Sequence, residues 1–142
     1  MKIPFNAIVE SEKETQKIAE EFAKILQPGD VVALKGNLGA GKTFFVKNAC
    51  IHFDIKNASS PSFAIVNEYS GKLNIYHFDF YRIKKLVELY DIGFDEYLMK
   101  QNSIVFIEWP DLVPEVLPEK KYDVEFEFIG ENSRKITITK HE

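Results

Sequence analysis

The eight residues Gly36-Asn37-Leu38-Gly39-Ala40-Gly41-Lys42-Thr43 constrain this chain more than any other stretch. Gly36, Gly39 and Gly41 permit backbone conformations that a side chain would forbid, and they let the main chain come close to a ligand. Successive N–H groups can then point inward at an anion, with the positive end of a following helix behind them. The flanks agree with this. Asp30–Lys35 (DVVALK) carries the short apolar run of a strand buried on both faces. Lys42 to about Phe53 reads as a helix, so the stretch is a strand–loop–helix junction.

The pattern Gly-x-x-x-x-Gly-Lys-Thr is a complete Walker A motif, the phosphate cradle of P-loop proteins. Asn37, Leu38, Gly39, Ala40, Gly41 and Phe44 would line a bound nucleotide. Lys42 would place its cation on the β- and γ-phosphates, and the Thr43 hydroxyl would ligate Mg²⁺. Such a loop also needs a carboxylate to hold the metal or orient water. Two acids stand at strand ends, where α/β sheets gather their chemistry. Glu108 ends the apolar run Ile104–Ile107, and Asp79 ends Leu73–Phe78. By spacing alone Trp109 reads as core and His77 as a structural histidine. Ser60-Pro61-Ser62 is a polar loop, placed where many P-loop proteins carry a segment that senses the γ-phosphate.

The rest of the chain predicts a three-layer α/β domain on a mixed, largely parallel sheet with added hairpins. Residues 3–9 read as a strand. Ser11 and Glu14 form a capping-box pattern ahead of a helix that Pro28-Gly29 stops. Phe63–Tyr69 and Leu73–Asp79 predict a hairpin around Ser70-Gly71-Lys72. Ile83–Tyr90 has helical spacing, Gly93 interrupts it, and Asp95–Lys100 adds another turn or two. Pro110, Pro114 and Pro118 punctuate a connecting segment. Alternating apolar residues at 122–128 and 136–138 then predict a terminal hairpin.

With 142 residues and no linker, one domain spanning 1–142 is expected. The net charge of −4, with only Arg82 and Arg134 as arginines, disfavours autonomous gripping of a nucleic-acid backbone. The single cysteine, Cys50, excludes an internal disulfide and lies on an expected apolar helix face. No signal-peptide stretch and no membrane-length apolar run is present, so the expectation is a cytoplasmic protein without membrane contact.

GNLGAGKT, then SPSF at Ser60–Phe63, HFDFYR at His77–Arg82 and IEWP at Ile107–Pro110, in that order and spacing, resemble the TsaE (YjeE) family. The resemblance covers essentially the whole chain. It implies ATP and Mg²⁺ as ligands and slow ATP hydrolysis. It also implies work beside the TsaD and TsaB proteins that make threonylcarbamoyladenosine in tRNA, with tRNA met only indirectly. Carried over by position, Lys42 contacts the phosphates, Thr43 and Glu108 serve the metal, Asp79 serves hydrolysis and Trp109 braces the site. Ser11, Thr15 and Arg134 would lie near the base. The sequence departs from the family pattern at Ser62, where Thr is usual, and at Asn37, where Asp is usual.

No residue is clearly an arginine finger, although Arg82 or a partner's arginine could supply one. Weak activity alone, gated by partners, is therefore expected. A small-molecule kinase would need an acceptor pocket and a basic lid, and no lid insertion is evident. A guanine-reading switch would carry an Asn-Lys-x-Asp element, which this sequence lacks.

Overall fold

A computed structural model describes residues 1–37, 39–58 and 64–142. Seven strands form one sheet: β1 (Phe5–Val9), β2 (Val31–Lys35), β3 (Val66–Ser70), β4 (Asn74–Asp79), β5 (Ser103–Glu108), β6 (Lys121–Phe128) and β7 (Arg134–His141). Their order is β1-β7-β6-β2-β5-β4-β3. The central strands β6, β2, β5 and β4 run parallel. Antiparallel pairing adds β7 and β1 at one edge and β3 at the other. The expected α/β class with a mixed sheet and hairpins is the observed one.

Among the described residues, four α-helices accompany the sheet: α1 (Glu12–Ile25), α2 (Lys42–Ile51), α3 (Val87–Asp91) and α4 (Phe94–Met99). The period-two geometry of the strands sorts their side chains into two cores. Val32 and Leu34 of β2 join Ile104 and Phe106 of β5 beneath Phe22 and Ala23 of α1 and Phe45, Ala49 and Cys50 of α2. Val31, Val105 and Ile107 point the other way, to Phe78, Phe80, Leu89 and Phe94. Three layers result because β2 and β5 are apolar on both faces. The Phe22 ring meets Tyr122 edge-on at 5.2 Å and lies 5.8 Å from Phe45, which ties α1 to both α2 and β6. Burying each such ring contributes about 1.5–3 kcal/mol.

Several boundaries differ from the sequence expectation, for local reasons. Ser11 caps α1 as predicted, accepting from Glu14 N at 3.2 Å. The Glu14 carboxylate, however, reaches back to Glu10 N at 2.6 Å, one residue beyond the expected capping-box partner. The helix expected over Ile83–Tyr90 starts late, and a separate 3₁₀ turn precedes it. Asp79 accepts from Tyr81 N and starts a 3₁₀ turn at Phe80–Arg82. Glu88 then takes the N–H groups of Lys84 and Lys85, both at 2.9 Å, so α3 begins only at Val87. The proline-punctuated segment folds into 3₁₀ turns at Pro110–Leu112 and Pro114–Val116, each opened by its proline. The strand expected from Phe63 is observed from Val66.

Candidate functional site

Strand β2 delivers the chain to the glycine-rich loop, and α2 leaves it at Lys42. Gly41, the N-cap of α2, has φ 105°, a left-handed value that a residue with a Cβ rarely adopts. Among the described residues no side chain caps α2, and its first turn carries no acid. The unpaired N–H groups and positive dipole end are thus left for an anion.

The two strand-end acids converge here by register. β4 and β5 are parallel neighbours with Asp79 directly opposite Glu108. Alternation along β4 places His77 and Asp79 on the same face as Ile75, and along β5 places Glu108 with Phe106 and Ile104, the face that α2 covers. Both Glu108 oxygens accept from the Thr43 hydroxyl, at 3.1 and 2.9 Å. Glu108 Oε2 also meets His77 Nε2 at 2.6 Å. Glu108 and His77 are 4% and 1% exposed, so this carboxylate is buried with its partners already in place.

Lys42 is also buried. Its ammonium donates to the Gly36 carbonyl and lies 3.5 Å from the centroid of the Trp109 ring. Burial pulls its pKa down, with Glu108 and Asp79 opposing the shift. Trp109 sits at φ 60°, and this left-handed step turns the chain out of β5 so that the indole overlies the loop lysine. Asp79 has its pKa raised, first by burial and then by the Glu108 charge. Tyr81 N donates to it at 3.1 Å, and Arg82 Nε approaches within 3.7 Å.

A cavity of about 420 Å³ opens over these groups, lined by residues 39–44 of the loop and α2 together with Asp79, Tyr81, Arg82, Glu108 and Trp109. The sequence-expected residues Lys42, Thr43, Asp79, Glu108, Trp109 and Arg82 are thereby brought together. Tyr81, whose ring centroid is 5.1 Å from that of Trp109, lines the same cavity and was not singled out by the sequence. Its only signal was its place inside HFDFYR. His77, read from spacing as structural, is bonded to the site acid.

Ser11, Thr15 and Arg134 do not line this cavity. Arg134 donates from Nη2 to the Gly39 carbonyl at 3.2 Å, and it pairs in register with Val9, two residues before Ser11. The Ser11 hydroxyl accepts from Glu14 N, and the Thr15 hydroxyl donates to the Ser11 carbonyl at 3.4 Å. The Asn37 carbonyl accepts from Ala40 N at 3.0 Å. Leu38 and the loop Ser60-Pro61-Ser62 lie outside the described residues.

Residues 9–136 match the family model described as threonylcarbamoyl adenosine biosynthesis protein TsaE. The chain belongs to the TsaE family. Family members named tRNA threonylcarbamoyladenosine biosynthesis protein TsaE match along most of their length. The Rickettsia typhi protein is 41% identical over 133 residues, covering 92% of this chain and 91% of its own. The Bacillus subtilis protein is 40% identical over 129 residues, covering 89% and 80%. The Aquifex aeolicus protein is 37% identical over 144 residues, covering 97% and 98%. Among solved structures, that of Bacillus subtilis YdiB superposes with a TM-score of 0.82 at 34% identity, covering 100% of this chain and 88% of that one. Membership of the TsaE family ties the chain to tRNA threonylcarbamoyladenosine biosynthesis. No helix among the described residues is long and apolar enough to cross a membrane.

Proposed function

We propose that this chain is a Mg²⁺-dependent P-loop ATPase of one domain, slow by itself and gated by the TsaD and TsaB proteins of the tRNA modification complex. The observation that carries the reading is the meeting of Thr43 and Glu108 at the mouth of the glycine-rich loop. A hydroxyl and a carboxylate are the hard oxygen donors that suit Mg²⁺, held in few protein contacts and shared with phosphate oxygens. Thr43 and Glu108 would hold the ion, which when bound supplies charge neutralisation on the phosphate oxygens.

The protein's own groups account for the rest. The start of α2 and the loop N–H groups receive the phosphates, and Lys42 adds a cation. Asp79 faces the same cavity, and its raised pKa makes it a better proton acceptor than an ordinary carboxylate, suited to orienting and deprotonating water. Arg82 sits beside Asp79, lines the cavity and has its side chain 39% exposed, within the space a phosphate would enter. An arginine paired with Asp79 agrees with weak turnover until a partner orders the site. Reading of the adenine by Ser11, Thr15 and Arg134 is part of the same proposal.

The test is phosphate release from ATP and Mg²⁺ by the purified chain, alone and with TsaD plus TsaB. Slow release that rises with the partners and vanishes in Lys42→Ala is expected. Partner-independent turnover would sink the gating, and transfer of phosphate to a small acceptor would make the chain a kinase.

A further inference from the structure

We propose that His77 is the positioning residue of this site: its Nε2–H fixes the Glu108 carboxylate in the orientation that receives the metal. The inference rests on the ATPase reading and deepens it. His77 reaches Glu108 across the β4–β5 pair, from two residues before Asp79, the direct register partner of Glu108. A carboxylate accepts, so His77 Nε2 is the donor and the ring's tautomer is set by Glu108. Thr43 is the other donor to that carboxylate, and Thr43 is itself a metal-side residue. His77 is thus the one donor to Glu108, among the described residues, that a metal does not recruit. It keeps the carboxylate aimed while the Thr43 hydroxyl changes partners.

Two further observations support a role beyond filling space. His77 Nδ1 is buried and has no hydrogen-bond partner among the described residues. A histidine retained at such a position needs a reason on its other nitrogen. Ile75 and Phe106, the inward neighbours of His77 on the side away from Asp79 and Glu108, are apolar, so an aliphatic residue at 77 would pack against them. The polar ring there serves Glu108. Groups that hold a metal-binding carboxylate by hydrogen bond typically govern metal affinity about 10–100-fold.

The experiment measures Mn²⁺ affinity by electron paramagnetic resonance with adenylyl imidodiphosphate, a non-hydrolysable ATP analogue, for wild type, His77→Leu, His77→Gln and His77→Asn. His77→Leu is expected to weaken Mn²⁺ binding about 10–100-fold, while analogue affinity in EDTA stays near wild type. His77→Gln, whose amide nitrogen reaches the Nε2 position, should recover most of the loss, and the shorter His77→Asn should not. Circular dichroism checks folding, and if His77→Leu does not fold, the Gln–Asn pair decides. Wild-type Mn²⁺ affinity in folded His77→Leu, or equal affinities for Gln and Asn, would overturn the proposal. Failure of the wild type to bind Mn²⁺ with the analogue would instead overturn the ATPase reading, and this inference with it.

Discussion

The Lys42 ammonium lies 3.5 Å from the centroid of the Trp109 ring while it donates to the Gly36 carbonyl. The loop lysine is therefore parked on an indole face, in a desolvated contact worth about 2 kcal/mol. Phosphate oxygens compete for the same cation. Trp109 is the only tryptophan of the chain, so its emission reports this contact without labelling. Addition of MgATP should change Trp109 fluorescence saturably, and Lys42→Met should abolish the change. An unchanged spectrum alongside calorimetric binding would mean that Lys42 stays on the ring in both states.

Asp79 provides a pH test. Burial and Glu108 raise its pKa above the ordinary 3.8. A carboxyl with a raised folded-state pKa supports folding fully below the ordinary value, and that support is lost as pH rises through the folded-state value. Once ionised, the buried Asp79 charge is a burden on the fold. Asp79→Asn keeps an acceptor for Tyr81 N and removes the charge. It should gain about 0.5–2 kcal/mol at pH 7.5 and lose hydrolysis by about 100-fold or more. Urea denaturation at pH 7.5 and pH 3.5 checks the sign, since the gain should shrink at the lower pH.

Gly71 in the β3–β4 turn carries a packing demand. A Cβ there would sit 2.0 Å from the Phe53 carbonyl oxygen, which accepts from Lys72 N at 2.9 Å. Phe53 follows α2, so the turn is docked against the end of the loop helix. Gly71→Ala should cost about 1–3 kcal/mol, read as a lower urea midpoint. The same substitution at Gly29, where no atom lies within 4 Å of the added Cβ, meets no such contact and suffers only from its φ of 95°.

Ser11 can be tested as a cap. Its hydroxyl accepts from Glu14 N. Ser11→Ala should therefore destabilise by about 1 kcal/mol, and Ser11→Asp should restore most of the loss. Nucleotide affinity separates capping from contact with the base. If Ser11→Ala weakens ATP binding while Ser11→Asp leaves it weak at restored stability, the hydroxyl meets the nucleotide as well.

Features written in local order are legible in the residues alone. Gly36–Thr43 between an apolar run and a helical one implies the phosphate cradle, because the φ values at Gly39 and Gly41 and the uncapped helix start follow from residue types at fixed spacing. Alternation and two-sided apolar runs likewise foretold the layers and the terminal hairpin. Which distant groups share the site depends on how the strands pair. Thr43 and Glu108 stand 65 positions apart, and Glu108 and His77 stand 31 apart. Their meeting depends on the β4–β5 register, which places Asp79 opposite Glu108 and turns both toward α2. Period two told which residues share a face of one strand, but only the pairing of strands fixes which face meets which. The same reason hid the docking of Gly71 on Phe53 and the late start of α3, where Glu88 captures the N–H groups of Lys84 and Lys85 that helical spacing alone would assign to the helix.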